Sequence, residues 1–123
     1  MKFISLLLAT LSFASVASAA GLWKQIASEN IWPNAPFFRE IFVPDKEEYT
    51  DIRVYVGTGS VRIQNATLFT AQYTQLPLWS LQGDYRSPRQ AEASFLRSKL
   101  RSVRLDIRSL EANRPSHVQI YIR

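Results

Sequence analysis

From Leu100 to Arg108 the chain alternates: Val103, Leu105 and Ile107 are apolar, while Arg104, Asp106 and Arg108 are charged. A period of two puts one face in a core and the other in water, the mark of a half-buried strand. The stretch is predicted to be the central strand of a small antiparallel sandwich. The pattern returns in Ile52, Val54 and Val56 around Arg53 and Tyr55, then in Val61 and Ile63 around Arg62 and Gln64. It returns again in Val118, Ile120 and Ile122 around Gln119 and Tyr121. Gly57 and Gly59 separate the second and third runs, which predicts a β-hairpin across that turn. The alternation blurs at Asn65 and Ala66 before Phe69, as a bulge would make it do.

Other stretches are less regular. A short strand is predicted over Trp23 to Ala27, followed by a loop with Pro33 and Pro36, whose rings forbid a long helix. The large apolar residues there, including Trp32, Phe37 and Phe38, read either as a binding lip or as packing on the sandwich, and the packing is expected. Arg39 to Val43 reads as a strand closed by Pro44. Gln75 to Leu81 carries Pro77 and reads as an edge strand or irregular crossing. Gln82, Gly83 and Asp84 read as a turn, and Leu110 to Ser116 as a loop. Ser87 to Lys99 supports two readings. Ser87, Pro88 and Gln90 resemble a helix start, and helix formers follow, predicting one short helix near 88–99. Ala91, Ala93 and Phe95 alternate with polar residues, predicting a strand, and the strands around it favour that reading. The fold class is mostly β: an antiparallel β-sandwich, jelly-roll-like.

The N-terminus changes the picture of location. Lys2, an apolar run from Phe3 to Leu11 and the small residues Ala17, Ser18 and Ala19 have the layout of a secretory signal peptide. The run is about half of the roughly 20 residues that span a bilayer, and no later run is long and apolar enough. Residues 1–19 are therefore expected to be removed near Ala19, leaving 20–123 as a single β-sandwich domain in a bacterial periplasm or secreted. Cysteine is absent, which excludes thiol chemistry and cysteine-held metals. Stability must come from the core, although small exported domains often lean on disulfides.

Charge is uneven. The chain carries 15 Lys and Arg against 10 Asp and Glu, a formal net charge of +5. Arg86 to Arg123 holds nine of the basic and three of the acidic residues. Such a surplus suits an anionic envelope component or an acidic protein, and nucleic acid is not expected as a partner.

Candidate chemistry is sparse. Asp45 to Glu48 with Asp51 forms an acidic loop, but its spacing matches no calcium loop and lacks the glycine, so it reads as solvated. Gly57 and Gly59 join two strands and do not make a phosphate loop. Asn65, Ala66 and Thr67 form a glycosylation triplet of little weight in a bacterial chain. His117 is the one histidine. A Ser-His-Asp arrangement would have to use it, with Asp106 as the candidate carboxylate, and no nucleophile turn accompanies it. No catalytic residue, cofactor or metal is assigned, and enzyme activity is not expected; an envelope hydrolase using His117 stays as an alternative.

The outward positions offer more. Alternation points Arg53, Tyr55, Arg62, Arg104, Arg108, Tyr121 and Arg123 away from the core. Tyr and Arg mixed on a flat sheet are favoured at contact surfaces. The expected function is a non-enzymatic binding module that uses this Arg and Tyr face for an anionic envelope component or protein. A structural or assembly subunit that pairs through a sheet edge is the other alternative.

Several stretches together resemble a family. They are Leu22 to Ile26 with its early Trp23, Phe38 to Val43, Ile52 to Val56 with Val61 to Phe69, Leu100 to Ser109, and the closing Val118 to Arg123. In spacing they resemble the YaaI-like bacterial periplasmic domains of unknown function. Tyr73 departs from the pattern where a glycine is usual, and the helix start at Ser87 stands where the family would have a strand. The resemblance implies a jelly-roll-like sandwich and an exported location, and carries over no catalytic residue.

Overall fold

The computed structural model describes residues 22–123; the predicted signal peptide lies outside the described residues. Eight strands follow in order: β1 (Lys24–Ile31), β2 (Phe37–Phe42), β3 (Glu48–Thr58), β4 (Ser60–Thr70), β5 (Gln75–Pro77), β6 (Gly83–Arg86), β7 (Arg89–Ser109) and β8 (Ser116–Ile122). One 3-10 turn, Trp79–Leu81, interrupts them, and no α-helix occurs among the described residues. The fold is mostly β, antiparallel and sandwich-like, as expected, and the sheet does not close.

β7 explains how one chain makes two layers. Its 21 residues take in Arg89 to Lys99, most of the stretch where helix and strand competed, and the central strand read from Leu100 to Arg108. All of it is strand from Arg89 onward, so the helix near 88–99 is not formed. Its first half pairs with β3, from Arg89 opposite Val56 to Lys99 opposite Glu48. Its second half lies between β2 and β4. The first sheet is therefore β1-β8-β3 with the first half of β7. The second is β2, the second half of β7 and β4, with β5 and β6 on the far edge of β4. Between Asp51 opposite Ser94 and Tyr49 opposite Ser98 the register slips. Phe95, Leu96 and Arg97 on β7 stand against Thr50 alone on β3, an excess of two residues, and the alternation breaks there, as a bulge that bends a strand requires.

The predicted hairpin is a correction. β3 pairs with β7 and β8, and β4 with β5, β6 and β7; the two do not pair with each other. The chain turns a corner at Gly59 and passes from the first sheet to the second. Gly59 has φ +77, and a Cβ there would lie 2.9 Å from the Ser116 Cβ. Only glycine takes this conformation freely at so close an approach. Gly57 is the extra residue of a bulge against β8, where the register shifts between Val56 and Thr58.

Three boundaries also differ. β1 runs through Ile31, beyond the predicted Ala27, because its later residues pair with β8 as far as Ser116. β2 begins at Phe37. Gly83 and Asp84, read as a turn, belong to β6, where they pair with Ile63 and Arg62. The bulge expected near Asn65 is found one residue earlier: the register shifts between Ile63 and Asn65, leaving Gln64 extra.

Inward residues from both sheets form one hydrophobic cluster. Ile52, Val54, Val118, Ile120 and Ile122 come from the first sheet, and Ile63, Leu68, Val103, Leu105 and Ile107 from the second; all are buried. Burial of this apolar surface is the main force holding the layers together. Of the N-terminal aromatics, Phe37 is buried in this cluster while Trp32 and Phe38 are exposed, so the expectation that they all pack on the sandwich holds only in part.

Candidate functional site

The seven Arg and Tyr positions do not share a face. Arg53, Tyr55, Tyr121 and Arg123 belong to the outer side of the first sheet, and Arg62, Arg104 and Arg108 to the outer side of the second. The core lies between. The expectation of a single Arg and Tyr face is therefore corrected. Alternation told outward from inward at each position, but not to which sheet a strand belongs.

The first outer face is a polar ladder built by register. Tyr121 lies opposite Gln25 and Arg53, and Gln119 opposite Ser28 and Tyr55. Its charges are spent internally. Arg53 is 2.6 Å from Glu92 and Arg123 3.5 Å from Asp51. Both guanidiniums also reach the Trp23 ring, at 4.1 and 4.3 Å from its centroid, an attraction of cation for π-face. The Asp51 carboxylate accepts from Ser94 Oγ at 2.6 Å and Thr50 Oγ1 at 2.7 Å. These hydrogen bonds, with the nearby Arg123, hold it below the ordinary aspartate range.

His117 belongs to the same ladder. Its Nδ1 lies 2.8 Å from Asn30 Oδ1 and its Nε2 3.1 Å from Ser28 Oγ. Asp106, the carboxylate the sequence offered it, projects from the outer side of the second sheet. The Ser-His-Asp arrangement through Asp106 is thus not assembled, because the core separates the two side chains.

In the acidic loop, Asp45 binds Lys24 Nζ and accepts from Tyr49 OH at 2.7 Å. Burial works to raise its carboxyl, but the hydrogen bonds from Lys24 and Tyr49 outweigh it and hold the group below the usual range. The contact ties the start of β1 to the loop before β3.

The second outer face is of another kind. Successive cross-strand rows are Phe42, Ser102 and Phe69; Glu40, Arg104 and Thr67; and Phe38, Asp106 and Asn65. Phe38 is 65% exposed, Phe42 61% and Tyr73 72%. The Arg101 guanidinium lies 5.6 Å from the Phe42 ring, 5.1 Å from the Tyr73 ring and 3.3 Å from Glu40. The Arg104 guanidinium sits 4.8 Å from the Phe69 ring. No carboxylate lies within salt-bridge distance of Arg104 among the described residues. Arg62 takes Asp84 with two hydrogen bonds, at 2.8 and 3.1 Å. Arg108 approaches Asp106 only to 3.7 Å, and Asp106 Oδ1 is buried without a hydrogen-bond partner.

Phe42, Tyr73 and Arg101 were not among the sequence candidates, and Phe38 entered only with the N-terminal aromatics read as a lip or as packing. Phe38, Glu40 and Phe42 do alternate with Phe37, Arg39 and Ile41. Both sets contain phenylalanine and charge, however, so the pattern does not say which set faces inward.

These features define a small open antiparallel β-sandwich with one self-neutralised polar face and one aromatic and arginine face. Comparison with protein-family models, curated proteins and solved structures finds no match for the chain. The YaaI-like resemblance rests on its strand spacing alone.

Proposed function

We propose that the protein is an exported, non-enzymatic binding module, and that its docking surface is the outer face of the second sheet. One observation carries this reading: exposed rings of Phe38, Phe42 and Tyr73 are interleaved with Arg101 and with Arg104, which lacks a carboxylate partner among the described residues. Large rigid rings and arginine forks are the residue types that anchor protein interfaces. An arginine without a local counter-charge favours an acidic group on the partner. Glu40, Asp84 and Asp106 share the face and oppose close approach to an anionic bilayer. An acidic protein of the bacterial envelope is therefore the partner of choice.

The test compares two double variants of residues 20–123 as bait for envelope and periplasmic fractions. Phe42→Ser with Arg104→Ser should lose the partner that wild type retains. Arg53→Ser with Arg123→Ser should keep it, and raising salt from about 0.1 to 1 M should release it as the Debye length shrinks. Equal retention by both variants, or retention indifferent to salt, overturns the reading. Retention on anionic vesicles in place of a protein overturns the choice of partner.

A second reading rests on the free edge of β7. Among the described residues its first half pairs only with β3, and Leu96 on it is 87% exposed. Such an edge can accept another strand, making the chain an assembly subunit. Sedimentation as a strict monomer, alone and with envelope extract, would remove it.

A further inference from the structure

The corner where the chain leaves the first sheet borders a concavity of about 520 Å³, floored by Gly59, Ser60 and Ser87. The floor is rigid because its backbone is satisfied from within. Ser87 N donates to the Gly59 carbonyl at 2.9 Å and Leu110 N to the Ser60 carbonyl at 2.8 Å. Ser87 Oγ donates to the Gly57 carbonyl at 3.0 Å, and Ser60 N to Ser116 Oγ at 3.1 Å. The charged side chains that line the space are Arg86, Arg114 and Glu111.

These three set the charge of the space. Arg114 Nε donates to Glu111 Oε1 at 2.9 Å. Arg114 first, then the Ser60 hydroxyl and more weakly the Arg86 charge, hold the Glu111 carboxyl below its ordinary range. Arg86 itself has no carboxylate within salt-bridge distance among the described residues. Two guanidiniums thus line one concavity with a single carboxylate, and that carboxylate comes from the protein's own chain. The volume falls within the roughly 300–1,000 Å³ typical of small-molecule sites. The lining is mainly polar, with Leu110 as its one large apolar side chain, which disfavours a fatty chain and favours a compact hydrophilic anion.

We propose that this concavity binds a small carboxylate, with Arg86 and Arg114 as its anchors and Glu111 as the resident group the ligand displaces. Arginine suits the role because its planar fork takes a carboxylate with two parallel hydrogen bonds. The site is independent of the docking face on the second sheet.

Calorimetry at fixed ionic strength with succinate, inorganic phosphate and uncharged succinamide tests the assignment. Succinate should bind saturably and succinamide should not. Arg86→Ser should weaken succinate binding about tenfold or more, the scale of a lost charge-assisted pair. Glu111→Gln should tighten it, since the internal competitor loses its charge. Arg97→Ser, on the bulge of β7, is the control and should change nothing. Should Arg86→Ser fail to give the wild-type circular dichroism spectrum, Arg114→Ser replaces it with the same expectation. The proposal is overturned by no saturation up to about 10 mM succinate, by equal affinity in Arg86→Ser and Arg97→Ser, or by phosphate binding where succinate does not.

Discussion

Ser116 is fully buried at the start of β8, and its hydroxyl joins three segments. It accepts from Ser60 N at 3.1 Å, donates to the Ser60 carbonyl at 2.8 Å and lies 2.9 Å from Ser109 Oγ. Ser116→Ala would remove the acceptor of the Ser60 N–H. The expected cost is about 1–3 kcal/mol, read as a shift of the urea midpoint at constant slope. Gly59→Ala attacks the same corner from the other side. Its positive φ and the adjacent Ser116 both resist a Cβ, and a loss of about 1–3 kcal/mol is expected. Asp51 links stability to pH. Its carboxyl is held down in the folded state, chiefly by the Ser94 and Thr50 hydroxyls. The folded state therefore binds a proton less readily than the unfolded one. Its contribution is present above the ordinary aspartate value of about 3.9 and lost as pH falls through the lower folded value. Asp51→Asn should be less stable than wild type at pH 7, and the gap should narrow below about pH 4. A gap that persists unchanged at low pH would show that the carboxylate's charge is not the cause.

At the scale of the element, β7 makes a sharp comparison possible. Leu96 lies in its bulge at 87% exposure, while Leu105 is fully buried between β2 and β4. Leu105→Ala should cost about 2–5 kcal/mol, whereas Leu96→Ala should stay within about 0.5 kcal/mol; chemical denaturation of the two variants reads both. The same strand marks how far sequence reasoning reaches. Val103, Leu105 and Ile107 were legible as buried because alternation is a local property of a pleated strand. So were Ile52, Val54 and Val56, and the last strand. The pairing of β3 with β8 and β7 in place of β4 was not legible. Which strand lies beside which is decided by contacts far apart in the chain, and a glycine turn between two alternating runs fits a corner as well as a hairpin. The expectation of one shared face went astray for the same reason: Arg53 and Arg104 both point outward, and only the topology puts them on opposite sides of the core. Helix propensity at Ser87 to Lys99 lost to tertiary context, since Ala91 and Ala93 complete the face on which Ile52 and Val54 pack.

At the scale of the whole molecule, the two outer faces differ in how their arginines are held. On the first, each candidate arginine has an internal counter-charge and an aromatic partner: Arg53 with Glu92, Arg123 with Asp51, and both with Trp23. These contacts fasten Trp23, which precedes β1, to β3 and to the residue that follows β8. On the second, among the described residues Arg104 has the Phe69 ring and no carboxylate, and Phe42 stands largely in solvent. Exposed ion pairs contribute little singly, and cation–π contacts about 0.5–1 kcal/mol each at such sites. Arg53→Ser with Arg123→Ser removes two of each, so a loss of about 1–3 kcal/mol is expected from their sum. Phe42→Ser with Arg104→Ser removes two cation–π contacts and no ion pair, so a smaller loss of about 1 kcal/mol is expected. Urea unfolding of both double variants supplies the measurement. A larger loss from the second pair would mean that this face is fastened to the fold in the free protein, leaving its rings and arginine unavailable as a docking surface.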